Sequence, residues 1–440
     1  MKKTFKFGGL LLAAVLAATA VAAQDALYET QGLPAGTSIV REYAPGVDIV
    51  YHDNGTPSFL YLDRMSQVIE EARIPNLVSV ADMEIEGDMV YFCGNYNGDQ
   101  AIGRFDINDL FFGSNNVEFS SIMYYPVSGS YPGTLTLTKL EVYKDVSDVH
   151  VFLIGNIEFG TPNAIDYTCL IDAQYDGSRW FSEVIEEPTG VYFFDDVAVL
   201  DNEIVVVGDK HGGTGDYSNI WNLPNTGWIP VNTLGGDSLD ICYTGDNEYF
   251  PISKPLIEHL DNDRYAVACY GMFEGDTGIV VTLYDNFCTM NTRWFVYNMT
   301  STTAFSELRY NANDNALYLL PDATNTAVQG MVYVFDLATM QVSLSQSALP
   351  RLYSASNANS AAGAVVSGET VNGEFGLWRM RVSDCKCSQS IVPPSVANAY
   401  LTHRYHHECR TDWADHVPYQ ETAGMQHHDF PVFCGEDIFD

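Results

Sequence analysis

Residues 82–94 read DMEIEGDMVYFCG. The centre, Glu86-Gly87-Asp88, is turn chemistry, because glycine and its polar neighbours tolerate a tight reversal. The second half, Met89 to Cys93, is an unbroken apolar run that ends in Gly94. A strand in which successive residues are all apolar is covered on both faces. The same sentence returns along the chain. It reads KLEVYKDVSDVHVFLIG at 139–155, DVAVLDNEIVVVG at 196–208 and PLIEHLDNDRYAVACYG at 255–271. It returns again as SELRYNANDNALYLLP at 306–321 and YSASNANSAAGAVVSG at 353–368. The spacing is about 50 residues.

A polar loop and a second hairpin follow each copy. Its first strands read AIGRFDI, DYTCLID, SNIWNL, GIVVTLYD, GMVYVFDL and GLWRMRV. Its second strands read VEFSSIMYY, RWFSEVIEE, WIPVNTL, TRWFVYNM, QVSLSQSAL and CSQSIVP. Upstream, SIVREY, VDIVYHD, SFLYLD and QVIEEARI supply four further strands. The expectation is seven units of four antiparallel strands over residues 37–394. One such sheet cannot cover both its faces, whereas stacking it between two neighbours does.

This pattern resembles the β-propeller repeat proteins, and the resemblance covers most of the chain. It implies an all-β, seven-bladed ring. The resemblance is architectural: no Trp-Asp dipeptide closes a blade, and beyond residues 1–23 Gly-Gly occurs only at 212–213 and 235–236. A large β-sandwich is the competing layout, and six or eight blades are the competing counts.

The ends of the chain differ from its middle. Residues 1–23 have a lysine-bearing start, an apolar run and small residues near Ala22, the layout of a secretory signal peptide. Residues 24–36 are a lead-in. The expected location is therefore periplasm, cell surface or exterior, with no membrane span. The net charge of −36 excludes nucleic acid as a partner, because no basic patch exists to release counterions.

The tail, 395–440, carries HRYHHEC at 403–409. His403, His407 and His416 are its candidate metal ligands, since i, i+4 histidines share a helical face. Zinc suits these histidines, and calcium would suit the scattered acids, although no sound EF-hand loop is present. NANDNALYLLPD at 311–322 has Ala316 where such a loop needs glycine, so it reads as a hairpin turn. Of nine cysteines, Cys93 and Cys269 read as buried free thiols. Cys385, Cys387, Cys409 and Cys434 form an even set at the end of the chain, expected to staple the tail over the seam between the last and first blades.

A ring of this kind places its long connections on one face, where recognition residues gather. Tyr125, Tyr192, Asp195, Lys210, His211, Asp216, Glu274 and Asp276 lie in or beside those connections. Aromatic faces beside carboxylates suit a glycan, a peptide or a protein surface. Asp82, Asp196 and Glu307 begin innermost strands and face the channel, which makes them the candidate acids of a glycan-active hydrolase or lyase. No Gly-x-Ser-x-Gly, phosphate loop or dinucleotide fingerprint occurs. The expected function is an exported binding or scaffold module, with the propeller enzyme as the alternative.

Overall fold

A computed structural model describes residues 27–380 apart from several loop segments, the longest at 211–225, 232–241 and 123–132, together with 418–422 and 426–428. It contains seven antiparallel sheets, one per blade. Blade 1 is Thr37–Ala44, Val47–Asp53, Pro57–Leu62 and Val68–Ala72. Blades 2 and 3 begin with Leu77–Glu86 and Gly133–Lys144. Blades 4 to 7 begin with Tyr192–Val199, Leu256–Asp261, Phe305–Asn311 and Arg351–Ala355. These first strands are innermost, and each lies against its neighbours around a closed ring, blade 7 against blade 1 included.

The opening stretch shows why the ring holds. In the second strand of blade 2, Met89–Tyr96, side chains alternate between the two faces of the sheet. Val90 and Phe92 join a cluster shared with blade 1 around Phe59 and Tyr51. Tyr91 and Cys93 join the cluster shared with blade 3 around Leu153 and Ile171. Seven such apolar clusters fill the seven interfaces among the described residues. Each large side chain buried there contributes about 1.5–3 kcal/mol. Gly87 takes the positive φ of 62° that the turn between the two strands requires.

The last blade departs from the sequence expectation. Its fourth strand is Leu27–Pro34, which pairs antiparallel with Glu374–Met380 through Leu27–Trp378, Tyr28–Leu377 and Glu29–Gly376. The lead-in therefore closes the ring, in the place assigned above to CSQSIVP at 387–393. A pairing between chain ends leaves no local periodicity to read. Blade 4 also differs. Its third strand is Thr226–Val231, paired with Ile204–Lys210, and its fourth is Cys242–Tyr243. WIPVNTL was expected as the fourth strand; SNIWNL, expected as the third, lies outside the described residues.

The two described tail strands, Pro418–Thr422 and Gln426–His428, form a hairpin on the outer strand of blade 5, Met290–Tyr297. That is not the seam between blades 7 and 1. There, Ser38 donates to Ser367 at 2.8 Å, and Val40, Leu60, Val365 and Phe375 pack together. His403, His407, His416 and the four tail cysteines lie outside the described residues. Cys93, Cys169 and Cys269 are buried free thiols. Asn311–Asp322 contains the expected hairpin turn, with Asn315 at φ 50°. No helix among the described residues is long and apolar enough to cross a membrane.

Candidate functional site: the charged channel

A recurrent irregularity aims side chains into the channel. The register slips by one residue between Val80 and Asp82, Leu137 and Lys139, and Phe194 and Asp196. It slips again between Phe305 and Glu307 and between Leu352 and Ser354. Each slip is a bulge that re-aims the residue after it. Opposite the bulges stand Gly94, Gly155, Gly208, Pro321 and Gly368, the residues that end the apolar strands. A Cβ on Gly94 would lie 2.1 Å from the Ser79 carbonyl oxygen, and one on Gly208 1.8 Å from that of Phe193. Glycine there lets the bulge close over the neighbouring strand.

The re-aimed residues, together with Glu258 and Arg41, tie each blade to the next. Asp82 Oδ2 accepts the Leu140 N–H at 3.3 Å, and Asp196 Oδ2 accepts the Ile257 N–H at 3.1 Å. Glu258 accepts from Tyr310 N at 2.9 Å, Glu307 from Ala355 N at 2.6 Å, and Ser354 Oγ from Val40 N at 3.1 Å. Ion pairs link the remaining two junctions: Arg41 to Asp82 at 3.0 Å and Lys139 to Asp196 at 3.8 Å. The polar links thus run through all seven blades.

Arg41 lies behind the channel wall with 1% of its side chain exposed. Its Nε donates to Glu84 at 2.8 Å, and its Nη1 donates to Glu307 at 3.0 Å and to the Val40 carbonyl at 2.8 Å. Arg309 pairs with Glu84 and Glu258, both at 3.3 Å, and with Glu307 at 2.8 Å. Burial works against the Glu307 charge, yet Arg309 and Arg41 outweigh it and hold the carboxyl at about 2. Glu258 goes the other way: burial pushes it up to about 7, despite Arg309. Burial, reinforced by Glu84 and Glu258, pushes Glu141 well above the usual carboxylate range. Burial also raises Asp196, against the pull of Lys139.

These groups surround a cavity of roughly 210 Å³. Six carboxylates line it: Asp82, Glu84, Glu141, Asp196, Glu258 and Glu307. Lys139 and Arg309 are the cations on its wall, and His259 and Tyr310 complete its polar lining. The lining residues run from the middle of the innermost strands towards their C-terminal ends, the end nearer the short hairpin turns. Recognition was expected at the opposite end, where the long connections lie.

Of the sequence candidates, Asp82, Asp196 and Glu307 meet in this cavity, each holding a backbone N–H of the next blade. Asp195 is a bulge residue and pairs with Lys254 at 3.2 Å. Asp276 opens the third strand of blade 5, away from the cavity lining, and burial raises its carboxyl. Tyr192 and Lys210 are partners in the blade 4 ladder, and only their backbone is described. Tyr125, His211, Asp216 and Glu274 lie outside the described residues. Arg41, Glu84, Lys139, Glu141, Glu258 and Arg309 were not singled out from the sequence. For Glu84, Lys139, Glu141 and Arg309 the signal is a charge two residues from another in an inner strand, as in DME, KLE and ELR; Arg41 and Glu258 carry no such pair.

No protein-family profile matches the chain, and no curated protein matches it. Solved structures do. The chain resembles the crystal structure of an oligogalacturonate lyase from Vibrio parahaemolyticus with a TM-score of 0.51. The two are 11% identical, and the match covers 82% of this chain and 97% of that one. At that identity the likeness speaks for the propeller fold alone.

Proposed function

We propose that the protein is an exported binding propeller that takes a small polar ligand, a glycan or a peptide end, into its central channel. The observation that carries this reading is the convergence of six carboxylates, one of them, Glu141, without an ion-pair partner among the described residues, on one concave cavity. A concave site with a few converging polar groups is the usual form of a ligand pocket. Buried charge that served stability alone would be fully paired, since an unpaired interior charge is costly.

An enzyme is the second reading. Glu258, at about 7, is a carboxyl group that holds a proton near neutral pH, as a general acid must. The lyase that this fold resembles is named for an oligogalacturonate, which is a polyanion. A channel with more carboxylates than cations repels such a substrate, so the likeness does not carry that substrate over to this channel.

A glycan and peptide array, followed by calorimetry of its hits, tests the binding reading. Glu84→Gln and Glu258→Gln should each weaken a hit at least tenfold. Hits indifferent to both substitutions would place recognition elsewhere and sink the reading. Cleavage products in the same mixtures, lost with Glu258→Gln, would establish the enzyme instead.

A further inference from the structure

The channel acids differ in one respect that bears on the ligand. Asp82, Asp196, Glu258 and Glu307 each accept a backbone N–H from the next blade, and Glu84 accepts from Arg41. Glu141 has no such partner: among the described residues no hydrogen bond or ion pair reaches its carboxyl group, although it lines the cavity. The charges that act on it most are also acidic, Glu84 and Glu258. The nearby cations are already committed. Arg309 serves Glu84, Glu258 and Glu307, and Lys139 serves Asp196.

We infer that Glu141 is the seat of a primary ammonium group, so that the channel's ligand is an amine, either an amino sugar or the side chain of a lysine. The inference rests on the channel-binding reading above. The field at Glu141 favours a cation, and an ammonium is a compact charge with three donors, able to serve Glu141 and a neighbouring carboxylate together. A ligand with hydroxyl groups alone would leave the acidic surplus uncompensated. A divalent cation would need several free oxygens around it. Here the oxygens of Asp82, Asp196 and Glu307 are already accepting N–H groups, and no metal-holding group of three or more ligands occurs among the described residues.

Calorimetry at pH 7 with four probes tests this: a glucosamine trimer, trilysine, and the fully N-acetylated form of each. At least one amine probe should bind, its acetylated form at least tenfold more weakly, and Glu141→Gln should cost that probe at least tenfold. The probe that binds identifies the source of the amine. Acetylated forms binding as well as the amines would overturn the inference and leave the channel-binding reading standing. So would failure of both amines while array hits still depend on Glu84 and Glu258. Unchanged amine binding in Glu141→Gln, or calcium binding that depends on Glu141, would overturn it too. A thermal melt guards against misfolding: Glu141→Gln should keep or raise the Tm, since it removes an interior acid that has no partner.

Discussion

At the scale of single residues, Arg41 decides most. Three carboxylates from two other blades converge on it, and 1% of its side chain is exposed. Its removal leaves Asp82, Glu84 and Glu307 facing one another with Arg309, and Lys139 at longer range, to offset them. Arg41→Ala should therefore cost about 3–5 kcal/mol in urea unfolding. Arg73→Ala, which breaks a pair whose arginine is 64% exposed, should cost less than ~0.5 kcal/mol. Glu258 and Glu307 also make opposite predictions in pH. Glu307 titrates at about 2 in the folded chain against an ordinary 4.5, so its stabilisation is complete above 4.5 and is lost as pH falls towards 2. Glu258 titrates at about 7, so its contribution is complete below 4.5 and is lost as pH rises to 7. Glu258→Gln should therefore gain on the parent between pH 5 and 8, and Glu307→Gln should lose most above pH 5, both read as urea midpoints. A midpoint difference for Glu258→Gln that is flat across that window would refute the assignment. Asp82, Asp196 and Glu307 were legible as channel residues because they recur at one place in the repeat. Glu141 and Glu258 were not, because their roles depend on what the facing blades leave unpaired.

At the scale of the element, the glycine that ends four of the apolar runs has a reason the sequence could not show. It is visible as a repeat in VYFCG, FLIG, VVVG and VVSG. Its cause is a bulge in the partner strand, which brings a carbonyl oxygen to within 2.1 Å of where the Gly94 Cβ would stand. The bulge then turns Asp82, Lys139, Asp196, Glu307 and Ser354 towards the channel and the next blade. Gly94→Ala and Gly208→Ala must push backbone aside, which costs about 1–3 kcal/mol each by overpacking. They should also disturb the blade-to-blade bonds of Asp82 and Asp196. Hydrogen exchange at the Leu140 and Ile257 amides reads this directly: faster exchange in the matching variant is expected. A loss of stability with those two amides unchanged would show that the glycine and the carboxylate are not coupled. Strand order was less legible where spacing is uneven. In blade 4 a long stretch separates Lys210 from Thr226, and SNIWNL within it was read as the third strand, the place that Thr226–Val231 holds in the ladder.

At the scale of the whole molecule, closure is the property that the repeat could not predict. Six blades draw all four strands from one continuous stretch, so counting periods finds them. The seventh takes Arg351–Ala355, Ala364–Glu369 and Glu374–Met380 from one end of the chain and Leu27–Pro34 from the other. This pairing joins the first described segment to the last blade and holds the ring without a covalent staple among the described residues. Deleting residues 27–34 should leave Glu374–Met380 as an open edge, which invites pairing with another chain. The expected result is a Tm lower by roughly 5–10 °C, from the loss of a few kcal/mol of ladder and packing. Association that grows with protein concentration should accompany it in sedimentation. A synthetic LYETQGLP peptide in excess should restore part of the Tm, because it binds the folded form alone. If residues 387–393 could occupy that edge as the repeat pattern suggested, the deletion would change neither the Tm nor the association state, and the peptide would have no effect.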